Sequence, residues 1–486
     1  MDDIATELEV GEFDTMVVSE DRRHNPWVVL TSTGLAVFAV FLDTTIGFVS
    51  FPAISQTFSA AGPSTLSWVL NAYTLVFAAL LIPAGRLADR IGRRRMFLAG
   101  VIVFTVGSML CGLSPTVGVL IGAEMLEAVG AAMLVPASLA LVLQTFPREK
   151  VPVAVAIWGA IGAVAGAFGP TLGALVVSNL SWRWAFFINL PVGIVSFILG
   201  RKVLPEGREA NPGRMPDPAS IAVLAAGIAL IVYAVVETQN TGWASARFAI
   251  VLAAGLGLLA LFVDRCRRVP NPLIHLELFR SRNFRWANAA TIVYATGFSA
   301  MFLGNILFLT RVWGYSILRA GMAVSVGPFI VAVTAPFFGR LAGRIGQRAL
   351  LIPGGLIWAV GGIAMLARAT TTPDYLGVYL PANICTALGV ALLLPQLSSV
   401  AVQGLPPDQF GAGSAVVQAV RYIGSTLGVA LAIAFLDRPT TTPLDNFHHI
   451  WWLLVGVGIA VSIIATRLAR RPATAGAPAA VALALD

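Results

Sequence analysis

Charge is what this sequence has least of. Only 12% of its 486 residues are Asp, Glu, Lys or Arg, against roughly 25% in soluble domains, which excludes an ordinary water-soluble fold. Cysteine is almost absent: Cys111, Cys266 and Cys385 stand far apart in or beside apolar runs. That spacing offers no disulfide framework and no metal site, so each reads as a packing residue. A Walker-type phosphate loop is missing, which argues against an ATP-driven pump. No nucleophile, base and orienting group gather in a pattern that would suggest a membrane-embedded enzyme. The first 26 residues hold eight acids and lack an apolar core followed by a cleavage site. They read as a soluble acidic tail and not as a secretory signal.

Apolar sequence fills the rest. Hydrophobic residues make up 57% of the chain and the mean hydropathy is +0.83, the composition of a polytopic membrane protein. Apolar stretches able to cross the ~30 Å hydrocarbon core as helices occur at 27–51, 65–84, 96–113, 117–143, 151–177, 184–203, 219–236, 247–264, 286–308, 319–338, 350–367, 376–403, 410–436 and 449–468. None shows the ~10-residue alternating segments of a membrane barrel, so the expected fold is all-helical with fourteen spans. Twenty-five Lys and Arg residues fall on the side of the two termini and six on the other, with Arg421 inside span 13. By the positive-inside rule both termini are expected in the cytoplasm. The net charge of +8 then reflects topology, and no nucleic-acid partner is expected.

One segment, Gly85-Arg86-Leu87-Ala88-Asp89-Arg90-Ile91-Gly92-Arg93-Arg94-Arg95, follows span 2. It recurs after span 10 as Gly339-Arg340-Leu341-Ala342-Gly343-Arg344-Ile345-Gly346-Gln347-Arg348-Ala349. Gly130 to Pro136 in span 4 likewise matches Gly389 to Pro395 in span 12, and Gly169 and Gly173 match Gly424 and Gly428. Spans 1–6 therefore repeat as spans 9–14, a transporter plan, with spans 7 and 8 as a central insert. The expected domains are an acidic tail (1–26), a first six-helix bundle (27–203), a linker with two extra spans (204–285), a second bundle (286–468) and a tail (469–486). In the charged loop, Gly85 and Gly92 permit tight turns. Asp89 among Arg90 and Arg93 can accept charged hydrogen bonds, a cluster able to latch two bundles in one state and release them in another.

The loop resembles the signature of the major facilitator superfamily, with Gly85, Asp89, Arg90 and Gly92 at its Gly, Asp, Arg and Gly positions. Leu42-Asp43-Thr44-Thr45 running to Pro52, and Ser181-Trp182-Arg183-Trp184 running to Asn189-Leu190-Pro191, resemble the fourteen-span drug:proton antiporter family within it. The resemblance implies the major facilitator fold, alternating access, and multidrug efflux driven by a proton gradient without a cofactor. In span 5, Gly159, Gly162, Gly166, Gly169 and Gly173 share a helical face with Pro170, suited to close helix packing. The stretch also resembles the family's antiporter signature, although Ala174 replaces a usual glycine.

Acids inside spans are the sharpest signal, since a charge near the bilayer centre costs at least ~2.5–3.5 kcal/mol. Asp43 in span 1 and Glu124 and Glu127 in span 4 lie at similar depths, and the two glutamates share a helix face. The resembled family has an Arg and a Gln in place of Glu124 and Glu127, so an Asp–Arg relay does not carry over. A carboxylate cluster that binds protons replaces it. Either glutamate could instead face outer water or bond a neighbouring helix. Arg421 is a candidate counter-ion or a satisfied packing residue. The span 12 counterparts, Asn383 and Thr386, are uncharged. Trp68, Tyr73, Phe302, Phe308, Trp358 and Asn383 are candidate cavity residues, although membrane aromatics more often face lipid or neighbouring helices.

The expected function is proton-driven antiport that exports small amphipathic compounds, cations among them, across the inner cell membrane. Export of a specific lipid or metabolite on the same fold, or a non-transporting membrane sensor, are the alternatives. Substrate identity and oligomeric state are not legible.

Overall fold

The computed structural model describes residues 25–147, 150–207, 215, 217–403, 405, 409–436 and 442–469. The acidic tail as far as His24, the link at 208–214 and the tail from 470 lie outside the described residues.

Fourteen segments are long and apolar enough to cross a membrane. A helix is the natural state there, because hydrocarbon offers no partner to a free backbone N–H or C=O. The first bundle comprises α1 (Pro26–Thr57), α2 (Pro63–Ile91), α3 (Arg93–Leu113), α4 (Val117–Thr145), α5 (Val151–Asn179), α6 (Trp184–Phe187) and α7 (Asn189–Val203). The sixth span comprises α6 and α7, joined through Ile188, whose backbone stays right-handed helical (φ -61°, ψ -24°). A hairpin of α8 (Pro218–Thr241) and α9 (Ala246–Arg268) follows. The second bundle comprises α10 (Arg282–Arg311), α11 (Ile317–Ile345), α12 (Gln347–Arg368), α13 (Leu380–Val402), α14 (Phe410–Leu436) and α15 (Pro443–Ala465). Local sequence sets the starts. Asn25, Thr116 and Ser281 accept from the backbone N–H of Trp27, Val119 and Phe284, and Pro26, Pro63, Pro218 and Pro443 occupy first-turn positions that need no donor.

The repeated charged segment differs from its expected form. It is mostly helix: α2 runs on to Ile91 and α11 to Ile345. The turns come only at Gly92 and Gly346, where φ is 114° and 87°, a region closed to most side chains. Arg, Leu, Ala and Ile all favour helix, so nothing stops the chain earlier. Gly85 makes no turn; it lies within α2, where an added Cβ would sit 3.6 Å from Pro136.

Both halves pack alike. The third and fourth spans cross closely over Gly100 and Gly130 in the first half and over Gly354 and Gly389 in the second. The bundles meet along two seams, α2 against α14 and α5 against α11. In the repeat, α11 is the copy of α2 and α14 the copy of α5, so the seams are related by a pseudo-twofold axis. The bonds across them run from mid-helix to the end remote from both described chain ends. Thr171 Oγ1 donates to Ser325 Oγ (2.6 Å) and Thr426 Oγ1 to Thr74 Oγ1 (2.8 Å). Across the α2–α14 seam Phe77 also meets Tyr422 at 4.4 Å, and between the bundles Phe48 of α1 meets Phe302 of α10 at 5.3 Å. The hairpin packs on α2 and α14 through Leu75, Ala430 and Ala434. At its entry, the Asp217 carboxylate caps α8 and accepts from Arg265 Nε (3.1 Å) and Nη2 (2.5 Å). Those bonds, Arg265 first, lower its pKa from 3.8 to about 2.

Candidate functional site

The three acids converge inside the first bundle. Asp43 projects from mid-α1, and Glu124 and Glu127 from the second and third turns of α4. All are buried, Glu127 completely, and they lie within electrostatic reach of one another. Gly107 of α3 makes the approach possible. A Cβ there would stand 2.6 Å from Glu127 N and 2.7 Å from its Cα, so the backbones touch where a side chain would hold them apart.

The hydrogen-bond shell comes from residues that carry no charge. Asn189, at the start of α7, faces inward, where its Nδ2 donates to Asp43 Oδ1 (2.9 Å) and to Ser108 Oγ (3.0 Å). Ser108 donates to the carbonyl of Phe186 (2.9 Å). Cys111 Sγ donates to Glu127 Oε2 at 3.4 Å, so Cys111 belongs to the site and is more than a packing residue. Glu127 Oε1, Asn189 Oδ1, the Tyr73 hydroxyl and both amide atoms of Asn71 are buried without a protein partner. Among the described residues no Lys, Arg or His forms an ion pair with the three acids. Buried carboxyls so grouped are compatible with low dielectric only if protons are shared among them, because an uncompensated buried charge is expensive. The arrangement can bind and release protons.

Tyr73 borders this cluster and stacks near Phe77, which meets Tyr422 across the seam. Arg421 does not reach the acids as a paired counter-ion. Its guanidinium lies 5.6 Å from the Tyr422 ring and within electrostatic reach of Tyr294. Phe302 of α10 takes part in the contact between bundles through Phe48 of α1. The other candidate aromatics lie elsewhere: Phe308 packs among Trp313, Phe447 and Trp451 inside the second bundle, Trp358 is wholly buried against Tyr294, and Trp68 packs with the hairpin. Asn383 and Thr386 line a water-sized cavity within the second bundle, together with Asn305 and Tyr379. There Gly361 meets Thr386 as Gly107 meets Glu127.

The glycine face of α5 divides. Gly162, Gly169 and Gly173 receive Phe41, Thr45 and Ile46 of α1, whereas Gly159 and Gly166 have no heavy atom within 4 Å of an added Cβ. The five positions spread over about 80° of helix, and those two sit at its edge. The carbonyl of Pro170 instead approaches Gly321 of α11, making part of the seam. In the charged segment, Arg93 binds Asp89 Oδ1 through Nε (3.2 Å) and Nη2 (3.1 Å), and Gln144 Oε1 through Nη1 (3.0 Å). Arg94 donates to the carbonyl of Arg201 (2.7 Å), and Arg95 lies 3.5 Å from Glu206. These partners all belong to the first bundle or the start of its link. Arg90 lies in the last turn of α2, where its charge suits the helix C-terminus.

Signals for the neutral shell were faint in sequence. Asn189 stands in the family-like stretch ending at Pro191, but a search for charge passes over it. Ser108 and Gly107 had no signal beyond being small residues in a span.

Comparison with known proteins agrees with this architecture. Residues 33–302 and 287–483 match the model of the Major Facilitator Superfamily. The multidrug resistance protein Stp of Mycobacterium tuberculosis (strain CDC 1551 / Oshkosh) is 36% identical over 405 residues, 83% of this chain and 74% of its own. The cephamycin export protein CmcT of Amycolatopsis lactamdurans is 32% identical over 448 residues, covering 90% and 91%. The puromycin resistance protein pur8 of Streptomyces alboniger is 31% identical over 465 residues, covering 91% and 90%. Among solved structures, an auto-inhibited POT family peptide transporter aligns with a TM-score of 0.67 at 16% identity over 93% of this chain and 98% of that one, a likeness of fold. With both halves matched and such relatives aligned along most of its length, the chain belongs to the major facilitator superfamily, a family of membrane transporters and not of enzymes.

Proposed function

We propose that the protein is a proton-driven antiporter that exports small amphipathic compounds, cations included, by alternating access between its two bundles. One observation carries the reading: three carboxyls, Asp43, Glu124 and Glu127, are buried together without a cationic partner among the described residues. A proton bound there neutralises charge and weakens attraction for a cation, and its release restores that attraction. Exchange follows from this exclusion. The names of the relatives, exporters and resistance proteins, support efflux, and the glycine and proline pattern of α5 supports antiport. With both termini cytoplasmic, as the distribution of Arg and Lys favours, the seams are bonded toward the outside and the state is inward-facing. Arg93 then holds Asp89 within the first bundle, the released form of a latch that would bind across the bundles in the outward-facing state.

The test is flux of a fluorescent lipophilic cation in proteoliposomes under an imposed pH gradient. The parent protein should concentrate the probe against its gradient, and Asp43→Asn, inserted normally, should only equilibrate it. Uphill accumulation by Asp43→Asn would remove that carboxyl from the mechanism, and a parent protein indifferent to the pH gradient would overturn proton coupling.

A further inference from the structure

We propose that Asn189 is the positioning residue that holds Asp43 in both of its protonation states, and so sets the pH at which the site loads and releases its proton. The inference rests on the proposed proton coupling at Asp43. It starts from a single side chain at the start of α7. Asn189 is 1% exposed, opens α7 immediately after Ile188, and reaches Asp43 Oδ1 at 2.9 Å and Ser108 Oγ at 3.0 Å through one nitrogen. Its Oδ1, the other half of the amide, has no protein partner although buried.

An amide differs from every other group around Asp43 because it does not titrate and offers a donor and an acceptor at nearly interchangeable positions. With Asp43 ionised, the amide N–H donates to the carboxylate, the arrangement that fits the 2.9 Å contact between Nδ2 and Oδ1. With Asp43 protonated, the carboxyl becomes a donor, and half a turn of the amide about its χ2 brings Oδ1 round to accept from it. Ser108 makes the reversal feasible, since a hydroxyl can accept from Nδ2 or donate to Oδ1. Ser108 in turn donates to the carbonyl of Phe186 in α6. The proton state of Asp43 is thereby read at the joint between α6 and α7.

The titratable neighbours of Asp43 leave room for such a role. They are Tyr73 from α2, Cys111 from α3, and Glu124 and Glu127 from α4. Arg183, beside α6, is turned toward the Trp182 ring and the carbonyl of Ser114. The Asn189 amide is the described donor to the Asp43 carboxylate. Removing the amide takes a bond from both forms of Asp43, and because the bond to the ionised form is the stronger, the balance moves toward the protonated form by about one pH unit.

The experiment is an infrared pH titration of the reconstituted full-length protein, following the carboxyl C=O band that Asp43→Asn abolishes. The variants are Asn189→Leu, which keeps the branched skeleton without the amide, and Asn189→Ala as a second substitution should the first not accumulate. Asn189→Gln retains the amide. The midpoint of the Asp43 band should move up by about one pH unit in Asn189→Leu or Asn189→Ala, with Asn189→Gln closer to the parent. An unmoved midpoint in a normally inserted Leu or Ala variant overturns the inference, as does an equal shift in all three. Because the band is read without transport, this outcome is independent of the flux test. A site that titrates as described in a protein that moves no probe would sink the exporter reading and leave the role of Asn189 standing.

Discussion

Replacing Gly107 with alanine adds one methyl group where α3 and α4 touch. That methyl carbon would lie 2.6, 2.7 and 2.9 Å from N, Cα and Cβ of Glu127, where ordinary contact begins at 3.4 Å. Two of those atoms are backbone inside a helix, so no rotamer change relieves them, and the helices must part by about 1 Å. Overpacking of this kind costs about 1–3 kcal/mol, and backbone contact places it near 3. Alanine's better helix propensity offsets about 1 kcal/mol, which leaves a net loss of about 2 kcal/mol. Gly166→Ala is the matched control, because nothing lies within 4 Å of its added Cβ; only the propensity gain remains. Apparent melting temperatures of the two purified variants in one detergent provide the comparison. Gly107→Ala should melt below the parent and Gly166→Ala at or above it. The pH profile of transport should also move in Gly107→Ala, since the displaced backbone carries Glu127. Equal melting of the two variants would refute close packing at Gly107, and with it the account of how the glutamate reaches the cluster.

Other perturbations follow from the same contacts. Gly169→Leu should impair folding or coupling by driving a side chain into Thr45 of α1, whereas Gly166→Leu should express as the parent does, checked by membrane abundance and flux. Asp89→Asn should weaken the bonds to Arg93 and lower transport with insertion preserved; parental flux would exclude a conformational role. Gly343→Ala, at the matching position of the second half, should do less, because no charge is lost. Glu124→Gln and Glu127→Gln should shift the pH optimum or narrow the cargo range toward neutral compounds, read from flux of charged and uncharged probes. Asp217 is ionised down to about pH 2 when folded, below its ordinary 3.8, so its bonds stabilise the hairpin entry above about pH 4 and are lost as pH falls toward 2. Arg265→Gln should weaken that dependence, leaving the part due to the Ser220 donors, measured as hairpin proteolysis against pH.

The spans, the repeat and the depth of the acids were legible because each rests on a signal that hydrocarbon enforces: long apolar runs, charge asymmetry between faces, and scarcity of charge within spans. Asp43, Glu124 and Glu127 were therefore found together. Asn189 escaped because its amide is neutral, and its importance comes from the packing of α7 on α1. Gly107 escaped for a related reason: among 47 glycines, only packing tells which one faces a backbone. The aromatic candidates fared unevenly because ring chemistry does not say which side of a helix faces the bundle junction. Trp358 and Phe308 serve one bundle's core, and Phe302 serves the contact between bundles. The charged segment was read as a loop because its charge masked a helix-favouring composition that ends only at Gly92.

The hairpin of α8 and α9 lies on one flank alone. It lines the seam of α2 and α14 with protein, while its twin, the seam of α5 and α11, carries no such cover among the described helices. A strictly twofold molecule would present two equal flanks; this one has a flank walled by a protein hairpin and, among the described helices, a flank without one. The repeated bundles are thereby made unequal about their own axis.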